Sequence, residues 1–316
     1  MNRMLKATTV AALCSTVAGT GYVGVAQAAG HGGGSARTTV QVNHADHRGH
    51  ADSFVGEKRI RVEGHSVNVS CSGRQTGHKP VVMLVAGYGD GLDAMADLQK
   101  TLSAKNRVCS YDRLGEGKSD KPEGPQSLKD TGRILTGVID RVAGDSPVVL
   151  AGHSLGGLIA GRYAPEHRDR VKGLVLMDAT SPTMTADITR EIPANATGDS
   201  ADLRAGTVAT MRGENQENLA TPDGPVRSAG WIPTEVLRHG QQYLAEFPTY
   251  GPAIEAGWTR AQYKWAAISH RSTVRVAEDS GHYIYVDRKD MAVKSIQRVA
   301  AEVTQQNSGR WGHAGR

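Results

Sequence analysis

Aromatic side chains are scarce in this sequence. They account for 5% of 316 residues, and only 2 are Phe. So little large apolar surface argues against a pocket for a long fatty chain and for a small or medium ligand. Cysteine is scarcer still, with 3 residues: Cys14, Cys71 and Cys109. The formal charge of +5 is mild and its lysines and arginines are scattered. With no basic run there is no groove for nucleic acid, and no nucleic-acid partner is expected. No internal repeat is present, which excludes a solenoid. What remains, 39% hydrophobic and 22% charged residues, suits one large globular domain with a sizeable core.

The longest weakly polar stretch lies at the N-terminus. Arg3 and Lys6 precede ATTVAALCSTVAGTGYVGV, and Ala26-Gln27-Ala28 follows. A basic start, an apolar centre and a small-x-small site read as a signal peptide over 1–28, cut before Ala29. The many Gly, Thr and Ser residues argue against an uncut membrane span. A secreted, extracellular protein is therefore expected, with no stable membrane association after cleavage. Loss of Cys14 leaves Cys71 and Cys109 in an oxidising compartment, as a disulfide or as two buried thiols. Residues 29–54 lack hydrophobic periodicity and read as a flexible leader. Its His31, His44, His47 and His50 have no cysteine companion and no regular helical spacing, so a solvated tail is expected rather than a metal site.

From Glu57 onward the pattern changes. KRIRVEGHSVNVSC alternates apolar and polar residues on both sides of Gly64, as a β-hairpin does. VVMLVAG (81–87), PVVLAG (147–152) and KGLVLMD (172–178) are continuous apolar runs, the mark of strands buried on both faces. RVCSYD (107–112) reads as a short strand, and 91–104, 127–143 and 155–171 as helices. Ser127 is a candidate cap, with Asp130 in an acidic variant of the capping box. Strands alternating with helices indicate a mainly parallel sheet covered on both faces. Residues of about 180–231 break this rhythm and read as a small lid. Strands at IPTEVLRHG (232–240) and STVRVAE (272–278), with helices near 256–269 and 290–303, resume it. Residues 306–316 read as a flexible tail.

The tripeptide Gly-His-Ser occurs twice, at Gly64 and at Gly152. Ser66 sits between two alternating segments and belongs to a hairpin turn. Ser154 follows a buried strand and precedes a helix, and Gly156 and Gly157 complete G-x-S-x-G-G. A serine hydroxyl is a poor nucleophile and must stand clear of the backbone where a base can reach it. A tight strand-to-helix turn achieves this by holding the serine at positive φ. The residues two before and two after then approach too closely for side chains, hence Gly152 and Gly156. The helix aims its N–H groups and positive dipole end at the site, where negative charge develops. Ser154 is the candidate nucleophile.

At these residues the chain resembles the α/β-hydrolase fold superfamily. AGYGDG (86–91), YDRLGEGKSD (111–120), GHSLGG (152–157), MDATSP (177–182) and SGHYIYVDRKD (280–290) are similar to its landmarks, in order. The resemblance implies a mostly parallel, eight-stranded, doubly wound sheet over 55–305, with the lid inserted after strand 6. It implies a base in a loop after the last strand, here His282. Its acid usually follows strand 7, where the next carboxylate is Glu246. A subset places it after strand 6, where Asp178 stands. Asp178 is the first choice and Glu246 the alternative, unless Asp178 only caps its turn. His153 is read as packing under the elbow. The oxyanion donors would be the N–H groups of Leu155 and Tyr88, although Ala86-Gly87 replaces the usual His-Gly. Strands 2 and 4 are neighbours in such a sheet, and the disulfide reading then becomes a Cys71–Cys109 bond across them.

The expected chemistry is cleavage of an ester or related acyl bond in a small-molecule substrate, through an acyl-enzyme on Ser154. It requires no metal or organic cofactor. A serine at the elbow argues against relatives that use an aspartate nucleophile. Acyl transfer, lactone opening and peptide cleavage use the same groups and stay open, as does a non-catalytic binding protein of the same shape. Met184, Ile188, Ile192, Met211 and Trp258 are candidate pocket contacts, each equally placed to form the core of the lid.

Overall fold

The computed structural model describes residues 54–77 and 79–313, with side chains through residue 307. The expected signal peptide, most of the leader and the four leader histidines lie outside the described residues. Eight strands form one sheet: β1 (Gly56–Val62), β2 (His65–Ser72), β3 (Val81–Val85), β4 (Val108–Tyr111), β5 (Val148–His153), β6 (Val171–Met177), β7 (Thr234–His239) and β8 (Ser272–Ala277). Their order is β1-β2-β4-β3-β5-β6-β7-β8. β2 runs antiparallel to β1 and β4, and every other pairing is parallel.

Alternation along the strands builds two cores. Val81, Met83 and Val85 of β3, with Val148 and Leu150 of β5, join one cluster. Val82 and Leu84, with Val149 and Ala151, join the cluster on the opposite face. That is why these strands read as unbroken apolar runs: successive side chains point to opposite, equally dry faces. The first face is covered by α2 (Leu128–Ala143), α3 (Ser154–Tyr163) and α6 (Gly251–Trp265). The second is covered by α1 (Ala96–Leu102) and α8 (Lys289–His313), through Leu98, Leu102, Ala292, Ile296 and Val299. α2 begins with the expected capping box. Asp130 N–H donates to Ser127 Oγ at 3.3 Å, and Ser127 N–H donates to Asp130 Oδ2 at 2.8 Å. α8 runs past residue 305, where the sequence suggests a loose tail; the segment up to His313 contains no proline to break it.

Glu63 and Gly64 link β1 to β2 with φ of 48° and 85°, the left-handed pair of a two-residue hairpin turn. Ser66 therefore lies at the start of an edge hairpin. Cys71 and Cys109 face each other across β2 and β4 and are bonded, with Cα atoms 4.1 Å apart. The bond closes a loop of 38 residues, which stabilises the fold by about 4 kcal/mol in the chain-entropy model.

Between β6 and β7 the chain forms α4 (Met184–Glu191) and α5 (Asp199–Met211). Ile188, Ile192 and Leu203 pack with Leu244, Ile254 and Trp258 in a third cluster, so this inserted segment docks on α6. Ile188 and Ile192, read from sequence as either pocket contacts or lid core, belong to that small core. Lys264 Nζ of α6 lies 2.9 Å from Asp187 Oδ2 of α4 and fastens the same junction. A four-residue helix, α7 (Ile284–Asp287), precedes α8. Among the described residues no helix is long and apolar enough to cross a membrane.

Candidate functional site

β5 ends at His153 and α3 begins at Ser154 with no intervening residue. Ser154 has φ of 49°, a strained conformation for a residue with a side chain. The glycines follow from crowding. A Cβ on residue 152 would stand 2.4 Å from the Gly156 carbonyl oxygen, and one on residue 156 would stand 2.2 Å from that of Val85. Strand, turn and helix are packed so closely that only hydrogen fits at either position. The Thr180 N–H donates to the Ser154 carbonyl at 3.0 Å and braces the turn.

Asp178 follows β6 at φ of 47° and is 0% exposed. Its N–H donates to the Leu237 carbonyl at 2.8 Å. Gln262 Nε2 and Trp265 Nε1 of α6 donate to the carbonyls of Ala179 and Thr180 at 2.8 and 2.9 Å, so the turn carrying the carboxylate is held from two sides. His282 lies in the loop after β8 with its Nδ1 2.7 Å from Asp178 Oδ2. An ionised Asp178 there accepts the Nδ1 proton and leaves the Nε2 lone pair available to take another. His153 Nε2 lies 3.0 Å from the His282 carbonyl oxygen and fixes that loop. As read from sequence, His153 packs beneath the elbow, 1% exposed. Glu246 is exposed in a short turn after β7 and, among the described residues, makes no hydrogen bond with His282. It does not share the site.

A second histidine touches the same carboxylate. His239, the last residue of β7, places Nδ1 2.9 and 2.8 Å from the two oxygens of Asp178, and its N–H donates to Oδ1 at 3.2 Å. On its other edge Nε2 lies 2.8 Å from Glu255 Oε1 of α6. Burial pushes Asp178 toward its neutral form. The His239 charge and the hydrogen bonds from His239 and His282 outweigh that and hold it well below the usual carboxylate range. Neither His239 nor Glu255 is singled out by the sequence, because the two are joined only when β7 and α6 pack. One signal was available: the segment after strand 7 carries a histidine where the resemblance leads one to look for an acid.

The loop after β3 approaches the elbow through Gly87 and Tyr88. Arg113, 2% exposed, donates from Nη1 to the Ala86 carbonyl at 2.6 Å and from Nη2 to the Gly87 carbonyl at 2.9 Å. The opposite edge of its guanidinium meets both oxygens of Glu217 at 2.7 and 2.8 Å. Glu116 accepts the Gly89 N–H at 3.0 Å. Burial, reinforced by the nearby Glu217 charge, raises the Glu116 carboxyl to about 7. This buried network holds the loop where the sequence has Ala86 in place of the usual histidine.

A small apolar cavity of about 30 Å³ opens beside Ser154, lined among others by Tyr88, Leu155, Met184, Met211 and Trp258. Thr207 and Thr210 of α5 complete one wall, so the inserted segment contributes directly to it. Leu155, as the second residue of α3, has no carbonyl four places back in its helix to receive its N–H. Among the described residues no group of three or more His, Cys, Asp or Glu side chains is arranged to hold a metal ion.

A family model described as the alpha/beta hydrolase fold matches residues 80–210. The chain is 34% identical over 113 residues to a human (lyso)-N-acylphosphatidylethanolamine lipase, covering 35% of this chain and 33% of that one. The Mus musculus counterpart is 29% identical over 186 residues, or 58% of this chain and 51% of that one. The chain thus spans between about a third and a half of these curated relatives. Among solved structures, an enol-lactonase from Burkholderia xenovorans LB400 superposes with a TM-score of 0.55 at 19% identity, over 77% of this chain and 100% of that one. A thermophilic esterase from Thermogutta terrifontis gives 0.57 at 19% identity, over 79% and 100%. At such identities these superpositions speak for the fold alone. With its sheet order and its strand-to-helix elbow, the chain has the α/β-hydrolase fold.

Proposed function

We propose that this protein is an exported serine hydrolase that cleaves an ester or related acyl bond. The observation that carries the reading is the Asp178–His282 hydrogen bond of 2.7 Å beside a serine at φ of 49° that opens onto an apolar cavity. In the reaction Ser154 Oγ attacks the substrate carbonyl while His282 Nε2 takes its proton. The oxyanion is stabilised by the N–H groups of Leu155 and Tyr88, with the N-terminal end of α3 behind them. The imidazolium is stabilised by Asp178 and returns its proton to the leaving alcohol. Water, deprotonated by the same imidazole, then releases the acyl group and regenerates Ser154. The hydroxyl of Ser154 has no hydrogen-bond partner among the described residues, and the Ser–His contact of such sites commonly tightens only when substrate binds.

The cavity beside Ser154 is small and apolar, with Thr207 and Thr210 of α5 in its wall, which favours a short acyl group over a long one. Similarity to a lipase supports acyl chemistry without naming this chain's substrate. A fluorophosphonate probe tests the reading directly. Labelling of wild-type protein that disappears in Ser154→Ala supports it, and an unlabelled, folded wild-type protein would end it. A panel of esters from acetyl to decanoyl should show kcat/KM falling by tenfold or more beyond butyryl.

A further inference from the structure

We propose that His239 is a fixed imidazolium that orients Asp178 and moderates its pull on His282, making it a positioning residue for the catalytic array. The inference rests on the reading of Asp178 and His282 as a working pair.

Both ring nitrogens of His239 face carboxylate oxygens. Nδ1 stands between the two oxygens of Asp178, and Nε2 lies 2.8 Å from Glu255 Oε1. A neutral imidazole has one N–H and one lone pair, so it would point the lone pair at a carboxylate. A cation donates at both edges. Asp178 already accepts from His282 Nδ1 and the His239 N–H as well, and Glu255 accepts the Leu244 N–H through its other oxygen at 3.3 Å. Each contact becomes donor to acceptor once the ring carries the extra proton. Burial by itself works against that charge. The Asp178 charge and the hydrogen bonds to Asp178 and Glu255 outweigh it and push His239 up to about 9.

The remaining neighbours agree. The Tyr243 ring meets His239 edge to face at 4.8 Å, and burial holds its hydroxyl neutral. No other charged group touches the ring among the described contacts. Around His282 stand Asp178, the rings of His153, Tyr243, Trp258 and Tyr283, and Asp90 at longer range. His239 thus sets a positive charge on the far side of the carboxylate that His282 uses. It offsets part of the carboxylate's attraction for a proton on His282, so the general base is weaker than Asp178 alone would make it.

Two measurements test this. Imidazole nitrogen NMR, assigned with His239→Asn, should show a ring with both nitrogens protonated up to pH 8. A neutral ring with a bare Nε2, its proton residing on Glu255, would overturn the inference. His239→Asn keeps a donor toward Asp178 but strands Glu255, so the folded comparator is the double variant His239→Asn/Glu255→Gln. It should move the acid limb of kcat/KM for a short-chain ester upward by about one pH unit with KM little changed. An unshifted limb in a folded double variant would equally refute the tuning role. The spectra need no substrate. They decide the charge on His239 even if every ester in the panel is left intact, an outcome that would instead sink the hydrolase reading.

Discussion

The ends of β5 and β7 carry the same residue in opposite states. His153 and His239 are each the last residue of a strand, each 1% exposed and each in contact with the Asp178–His282 pair. His153 has one partner, the carbonyl of His282, and its Nδ1 has none among the described residues. Burial, with the His282 charge adding to it, pushes its pKa down to about 3, so the ring is neutral. His239 is just as dry but lies between two carboxylates and keeps its proton. Depth alone makes an imidazole neutral, whereas paired anions reverse the outcome. The neutral ring props the loop that holds His282, and the charged ring props Asp178.

The largest effect should come from removing the anion that separates the two states. Asp178→Asn leaves His239 without its main counter-charge and His282 without its tautomer guide, and should lower kcat by about 10⁴-fold in a protein whose circular dichroism is unchanged. Next is a change that should leave the contrast intact. Cys71→Ala/Cys109→Ala should cost about 4 kcal/mol in urea unfolding while preserving how stability depends on pH on either side of neutrality. That dependence is the third expectation. The folded chain keeps the His239 proton up to about 9, whereas an unfolded histidine releases it near 6.5. Stability should therefore fall as pH rises from about 6.5 to 9, by at most about 1.4 kcal/mol per pH unit, and His239→Asn/Glu255→Gln should flatten the slope. His153 acts in the opposite sense. Its folded pKa of about 3 means that stability falls as pH drops from about 6.5 toward 3. The smallest effect belongs to His153→Gln, which keeps an N–H donor for the His282 carbonyl but cannot titrate. It should cost under about 1 kcal/mol near neutrality and erase the acid-side slope.

How far the sequence reaches depends on the range of the interaction. The elbow is local: buried strand, serine and glycines lie within ten residues, and Gly152 and Gly156 are each explained by a backbone carbonyl that a Cβ would overlap. The capping box of α2 is equally local. Asp178 and His282 were accessible because the resemblance points to the turn after strand 6 and the loop after the last strand, although Glu246 could be set aside only once its turn was seen to face solvent. The Cys71–Cys109 bond followed from the strand order that the resemblance implies. His239–Glu255 and Arg113–Glu217 escaped notice for a different reason. Each is a buried charge whose stability depends on a partner from another element, and composition carries no trace of such pairing. The pocket residues were half legible: Met184, Met211 and Trp258 line it, but helical spacing alone could not show that Ile188 and Ile192 turn toward their own small core.

The Arg113 guanidinium has a mechanical consequence. One of its edges grips two carbonyls of the loop after β3, and the other is saturated by Glu217, which comes from the stretch just beyond α5. Pulling that stretch away would strand a dry cation and loosen the turn that presents Tyr88. The stretch near Glu217 is thus bolted to the loop beneath it, whereas α4 leans on α6 through the Asp187–Lys264 clasp, whose lysine side chain is 37% exposed.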